Sequence, residues 1–285
     1  MIRNGLDRRI IYLLVIVALA APLRFMLRLP PAHMKAADDV YAQIEKLEPI
    51  PGKLVVIGAD WGPGTSAENQ PQTELVMEHL MRKRVPFALM SLYQLASPML
   101  KEVPFQVAAR VSKHTGETYE YGKDWVNLGY QVNGALSLQG IARAPDIQEV
   151  LKTDANGTPL SEIPVTRDMH KLSDVQMLVH LTGLVNVFNY WLQFFRNQDY
   201  IPPMLHGCTS ISIPDAYMYY SSKQILGFFE GIAGAAWYDE LLDKKYPGRE
   251  EVATRVNTGL GIAQLLILAI VALGNIGQFL SRGKK

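Results

Sequence analysis

Lys53 to Leu92 reads KLVVIGADWGPGTSAENQPQTELVMEHLMRKRVPFALMSL, and the fold turns on this stretch. Its opening, KLVVIGA, is a short apolar run rich in Val and Ile that stops at Asp60, the composition of a strand buried on both faces. The glycine-containing loop DWGPGTSAENQPQ follows. From Thr73 to Arg84, Leu75, Val76, Leu80 and Met81 recur at helical spacing, and Arg and Lys fill the last turn, where cations suit the helix dipole. Pro86 to Leu92, PFALMSL, supplies the next strand. Strand, loop, helix and strand make a β-α-β unit, whose crossover is expected to be right-handed.

Outward from this unit the alternation continues. Ala36 to Leu47 reads as an amphipathic lead-in helix, and Met99 to Lys113 as a helix interrupted near Pro104. Trp125 to Tyr130 (WVNLGY) is expected as a third strand. After a turn-rich linker from Asp154 to Pro164, Val175 to Leu181 (VQMLVHL) gives a fourth strand, followed by an aromatic helix carrying Phe188, Tyr190, Trp191, Phe194 and Phe195. Met204 to Ser210 makes a fifth strand, and Ser222 to Leu242 the last helix of the domain. The expected class is α/β, a doubly wound, mainly parallel sheet of about five strands, similar in pattern to flavodoxin-like and Rossmann-like domains but without their binding motifs.

The two ends are apolar. Ile10 to Leu23 carries no charge, and with Arg24 and Arg28 snorkelling at its rim it approaches the roughly 20 residues needed to span a bilayer. A cleaved secretory signal fits less well, because Pro22 follows Ala21 and apolar residues resume at Phe25. Gly259 to Leu280 is uncharged and ends in a basic tail. The expected organisation is therefore residues 1–31 as tail and anchor, 32–247 as the α/β domain, and 248–285 as a helical stalk, second anchor and tail. Basic residues in both tails (Arg3, Arg8 and Arg9; Arg282, Lys284 and Lys285) favour cytoplasmic termini and an extracytoplasmic domain in a cell membrane, although Arg24, Arg28, Lys244, Lys245, Arg249 and Arg255 reduce that bias.

Charged residues form 19% of the chain, the hydrophobic set 48%, and the mean hydropathy is +0.04, well below that of a polytopic transporter. A net charge of +1 with no internal basic run argues against nucleic acid as a partner. The single cysteine, Cys208, excludes an intrachain disulfide framework and a Cys-based zinc cluster. The remaining histidines, His33, His79, His114, His170 and His180, share no metal-ligand spacing, so no metal or cofactor is expected.

Candidate site residues follow from the rule that ligands bind at the carboxyl ends of strands in open α/β sheets. They are Asp60, Gly62, Gly64 and Thr65 from the first strand end, Thr182 from the fourth and Thr209 from the fifth. The glycine loop could hold an anion at a helix N-terminus, but Pro63 removes a donor and no P-loop lysine follows. A turn ending in a Thr or Ser helix cap is the simpler reading. His206 and Cys208 would share a strand face and are the only candidates for a nucleophilic pair. Paired carboxylates from Asp60, Glu68, Asp124 and Asp215 have no separation fixed by sequence. The expected function is a non-enzymatic, membrane-anchored subunit of a membrane protein assembly, its domain a scaffold or docking module for a homo-oligomer or other subunits. A tethered sensor of a small ligand is the alternative, and a tethered hydrolase a third reading.

Overall fold

A computed structural model describes residues 8–25 and 28–282 of the chain. It divides into two compact units, residues 1–31 with 253–285, and residues 32–252. Arg3, Lys284 and Lys285 of the basic tails lie outside the described residues.

The larger unit is α/β, built on one sheet of six parallel strands in the order β3-β2-β1-β4-β5-β6. These are β1 (Leu54–Asp60), β2 (Phe87–Ser91), β3 (Trp125–Tyr130), β4 (Val175–Thr182), β5 (Met204–Cys208) and β6 (Phe228–Glu230). The order is that of the Rossmann-type doubly wound sheet and not the flavodoxin order, with the switch point between β1 and β4. Because crossovers are right-handed, reversing direction across the sheet after β3 carries the later crossover helices to the other face. Accordingly α3 (Ser66–Arg82) packs with α4 (Ser97–Thr115), while α7 (Val185–Phe194) packs with α5 (Ala135–Arg143) and against β4. Both faces of β1 are covered, and all seven of its residues are buried.

Several elements differ from expectation. The sheet has six strands because Phe228–Glu230, assigned by sequence to a helix from Ser222 to Leu242, forms a buried edge strand. That region holds α8 (Ile213–Ser221), β6 and α9 (Gly231–Lys245). Gly227 is there for close approach: a Cβ on it would lie 2.6 Å from the backbone N of Val40 in α2 (Lys35–Glu45). α3 starts at Ser66, ahead of the expected Thr73, and runs through Pro71, its sixth residue, where the proline forgoes the bond to the carbonyl four residues back. α4 likewise runs through Pro104 without interruption. The short α6 (Ile147–Leu151) leads into the irregular 152–174 linker.

The smaller unit contains α1 (Arg8–Phe25) and α10 (Ala253–Arg282), which pack along one another. The Leu29 backbone N–H donates to Thr258 Oγ1 at 3.1 Å within this unit. Ala253–Ala272 is the one described stretch long and apolar enough to cross a membrane. α1 has 18 residues and includes Arg8, Arg9 and Arg24, so the paired anchors rest on sequence alone. The helical stalk expected from residue 248 instead begins at Ala253. Arg249, counted by sequence among the flanking cations, is withdrawn into the larger unit. Its Nε and Nη2 each donate to Glu78 at 2.8 Å, and Nη1 pairs with Asp239.

Candidate functional site

The carboxyl end of β1 is organised around Asp60, whose side chain is fully buried. Its Oδ1 accepts from Ser91 Oγ at 2.7 Å and from the Leu92 backbone N–H at 2.5 Å, tying β1 to the end of β2. Its Oδ2 accepts from Trp191 Nε1 at 2.6 Å and lies 2.8 Å from His180 Nε2, tying β1 to β4 and α7. Gly58 makes this possible. A Cβ there would stand 2.8 Å from the Trp191 ring, so only glycine lets the indole cross β1 to reach the carboxylate. With both oxygens engaged by groups that are themselves buried, Asp60 is a structural hub.

One layer higher, Thr182 Oγ1 donates to the Asp60 carbonyl at 2.8 Å and accepts from the Leu184 N–H at 2.9 Å, fixing the turn after β4. Gly183 then sits between two of the sequence candidates. A Cβ on it would lie 2.5 Å from Thr65 Cγ2 and 3.2 Å from Thr209 Cγ2. Thr65, Thr182 and Thr209 are thus brought together at neighbouring strand ends, and the Thr65 and Thr209 methyls stand close against the Gly183 backbone. Thr65 holds the N-cap position of α3 without a side-chain cap bond, contrary to the helix-cap reading, and Ser66 Oγ donates to the Pro63 carbonyl at 3.1 Å instead. Gly62 packs beneath Tyr93 and Leu95 of the β2 loop, while Gly64 faces open space.

His206 and Cys208 do share a face and line one cavity of about 10 Å³ with Phe188, Asp215 and Ala216, room for one water at most. Their polar atoms look elsewhere: His206 Nδ1 is 3.0 Å from the His180 carbonyl, and Cys208 Sγ is 3.5 Å from the Phe229 carbonyl. Burial pushes the Cys208 thiol up to about 12 and holds His206 well below the usual imidazole range. A nucleophilic pair needs a thiolate, and this environment favours both groups neutral.

The other carboxylates do not converge. Glu68 Oε2 accepts from the Ser210 N–H at 2.9 Å, Ser210 Oγ at 2.5 Å and the Ile232 N–H at 3.3 Å, stitching α3 to the ends of β5 and β6. Asp124 precedes β3 at the opposite edge of the sheet and accepts from the Glu120 N–H at 2.7 Å. In α8, Tyr217 OH donates to Glu230 at 3.1 Å and Tyr219 OH to Asn189 at 2.9 Å. No grouping of His, Cys, Asp or Glu among the described residues could hold a metal ion.

What sequence reasoning missed is the surface above this layer. Each strand is followed by a stretch free of Asp, Glu, Lys and Arg: Trp61–Ala67, Leu92–Leu100, Gln131–Ala142, Gly183–Phe195, Thr209–Pro214 and Gly231–Tyr238. From the β3 side to the β5 side, exposed apolar side chains stand on this crest: Val132, Leu136, Leu95, Leu184, Val185 and Ile211, the last 87% exposed. The amino edge is the reverse, with Lys53, Arg84, Lys123, Asp124, Arg167 and Asp168 around one groove. The signal was present in the sequence as uncharged runs, but only the strand order shows that they share one end of the sheet.

The chain matches no known family model, no curated protein and no solved structure. Its function is therefore argued from its own geometry.

Proposed function

We propose that this chain is a non-enzymatic, membrane-anchored subunit of a membrane protein assembly, and that its α/β unit docks a protein partner through the carboxyl-edge crest. One observation carries the reading: six strand-end segments without a charged residue, four of which carry exposed aliphatic side chains. Depletion of charge at the centre of a patch is what marks protein interfaces off from the rest of a surface, and contiguous exposed apolar patches call for a partner. The partner surface is correspondingly apolar, supplied by a second copy of the chain or by another membrane subunit. The apolar Ala253–Ala272 segment supports attachment to a membrane. An anchor at the other terminus as well, with the domain outside the cytoplasm, is the topology that the basic tails favour.

The ligand-sensor reading has less support, because the Thr65 and Thr209 methyls stand close against Gly183 at the strand ends. The hydrolase reading has less still, given the buried, neutral Cys208.

The test is the paired substitution Leu184→Asp with Ile211→Asp, both at exposed positions. The assembly should disperse to the free chain on native mass spectrometry while thermal unfolding is unchanged. Persistence of an intact assembly with both aspartates in place sinks the proposal.

A further inference from the structure

A wide concavity of the α/β unit lies at the opposite end from the crest, at the amino edge of β4 and β5. It has a volume of about 880 Å³ and is lined by Arg143, Lys171 and Arg196, with the Asn197, Gln193 and Gln198 amides between them. Arg143 ends α5, Arg196 follows α7, and Lys171 precedes β4, so three separate segments bring their cations to one place. Among the described residues none of the three pairs with a carboxylate, in a unit where Arg82, Arg84, Arg110 and Arg249 all do. Asp199 is the single acid in the lining.

A second cavity of about 250 Å³ adjoins it, sharing Arg196 and Ile201. Its floor is apolar, made by Leu178, Trp191, Phe195 and Met204, and Lys223 stands at its rim, also without a carboxylate among the described residues. Lys223 is held there at a φ of 60°, in the left-handed region that a residue other than glycine adopts at some cost. The pair is thus a wide, cationic, amide-lined chamber joined through Arg196 to a smaller apolar one. Gathered cations repel unless an anion neutralises them, and guanidinium forks match the two oxygens of a phosphate or carboxylate.

We infer that the joined cavities bind an anionic amphiphile, a phosphate ester or carboxylate bearing an apolar group. The anion sits among Arg143, Lys171 and Arg196, and the apolar group lies in the smaller cavity against Leu192 and Ile201, over the buried Trp191 and Phe195. A bilayer lipid and a soluble ester both have this chemistry.

The experiment is calorimetric titration of the full chain in phosphatidylcholine nanodiscs with octyl phosphate, inorganic phosphate and octanol, corrected with empty discs. Octyl phosphate should bind, and Arg196→Gln should weaken it about tenfold or more, as expected for a lost charge-assisted hydrogen bond. Arg143→Gln should act in the same direction, and both exposed variants should melt like the parent. Unchanged octyl phosphate affinity in both variants overturns the site. Octanol binding as tightly as octyl phosphate overturns the role of the cations, and inorganic phosphate binding as tightly overturns that of the apolar chamber. Loss of octyl phosphate binding in discs containing phosphatidylglycerol supports the site and identifies a bilayer lipid as its ligand.

Discussion

At the scale of single residues, Asp60 and Glu78 hold the α/β unit together in different ways, and each gives a measurable consequence. Asp60→Ala strips Trp191 Nε1, Ser91 Oγ and the Leu92 N–H of their acceptor in a place water does not reach. The expected loss is about 3 kcal/mol of unfolding free energy in denaturant titration. Burial raises the Glu78 carboxyl, but the hydrogen bonds from Arg249 and the charges of Arg249, Arg110 and Arg82 outweigh it and hold the group at about 2, below its ordinary 4.5. A depressed folded value contributes stability that is present above the unfolded value and lost as pH falls through the folded one. The contribution, on the order of 3 kcal/mol, should therefore disappear between about pH 4.5 and pH 2. Glu78→Gln should flatten the stability curve in that window, and an unaltered acid limb would show the network to be inconsequential. Cys208, with its thiol raised to about 12 and its side chain 1% exposed, should resist iodoacetamide at neutral pH until the chain unfolds. Rapid labelling of the native chain would restore the nucleophile reading. None of these partnerships was legible in sequence: Asp60 reads there as a strand-end acid, and its contacts lie from 31 to 131 residues away along the chain.

At the scale of elements, the apolar runs and helical spacings that mark β1 to β5, α2 and α7 in the sequence are borne out within a few residues. The misses have two causes. β6 has three residues, too few to show a period, and its phenylalanines and flanking glycines read equally well as a close-packed helix. The sequence starts α3 only at Thr73, beyond Pro71, and interrupts α4 near Pro104; proline is a strong local breaker, which tertiary packing overrides in both helices. The turn after β4 shows how closely neighbouring elements fit. Gly183→Ala would press a Cβ to 2.5 Å from Thr65 Cγ2, forcing that turn away from the start of α3, at an expected cost on the order of 1–3 kcal/mol. Adding Thr65→Ser removes the opposing methyl and should recover part of the loss. Strict additivity of the two substitutions in a double-mutant cycle would contradict the packing described at the switch point.

For the whole molecule, the sequence reveals a parallel α/β unit with apolar ends, because burial and spacing are written locally. It does not reveal where function resides. The strand-end rule led to Thr65, Thr182 and Thr209, of which Thr65 and Thr209 pack their methyls close to Gly183. The uncharged segments that rise above them become one surface only when the order β3-β2-β1-β4-β5-β6 lays them side by side. The central claim is that this crest contacts a protein partner, and site-specific photocrosslinking in native membranes tests it most directly. A photoreactive amino acid at Leu184 or Ile211 should yield discrete adducts whose crosslinked peptides map to one partner surface, and the same group at Ile50, exposed near the amino edge, should yield none. Crest positions that remain uncrosslinked, or that react no more than Ile50 does, would contradict the account.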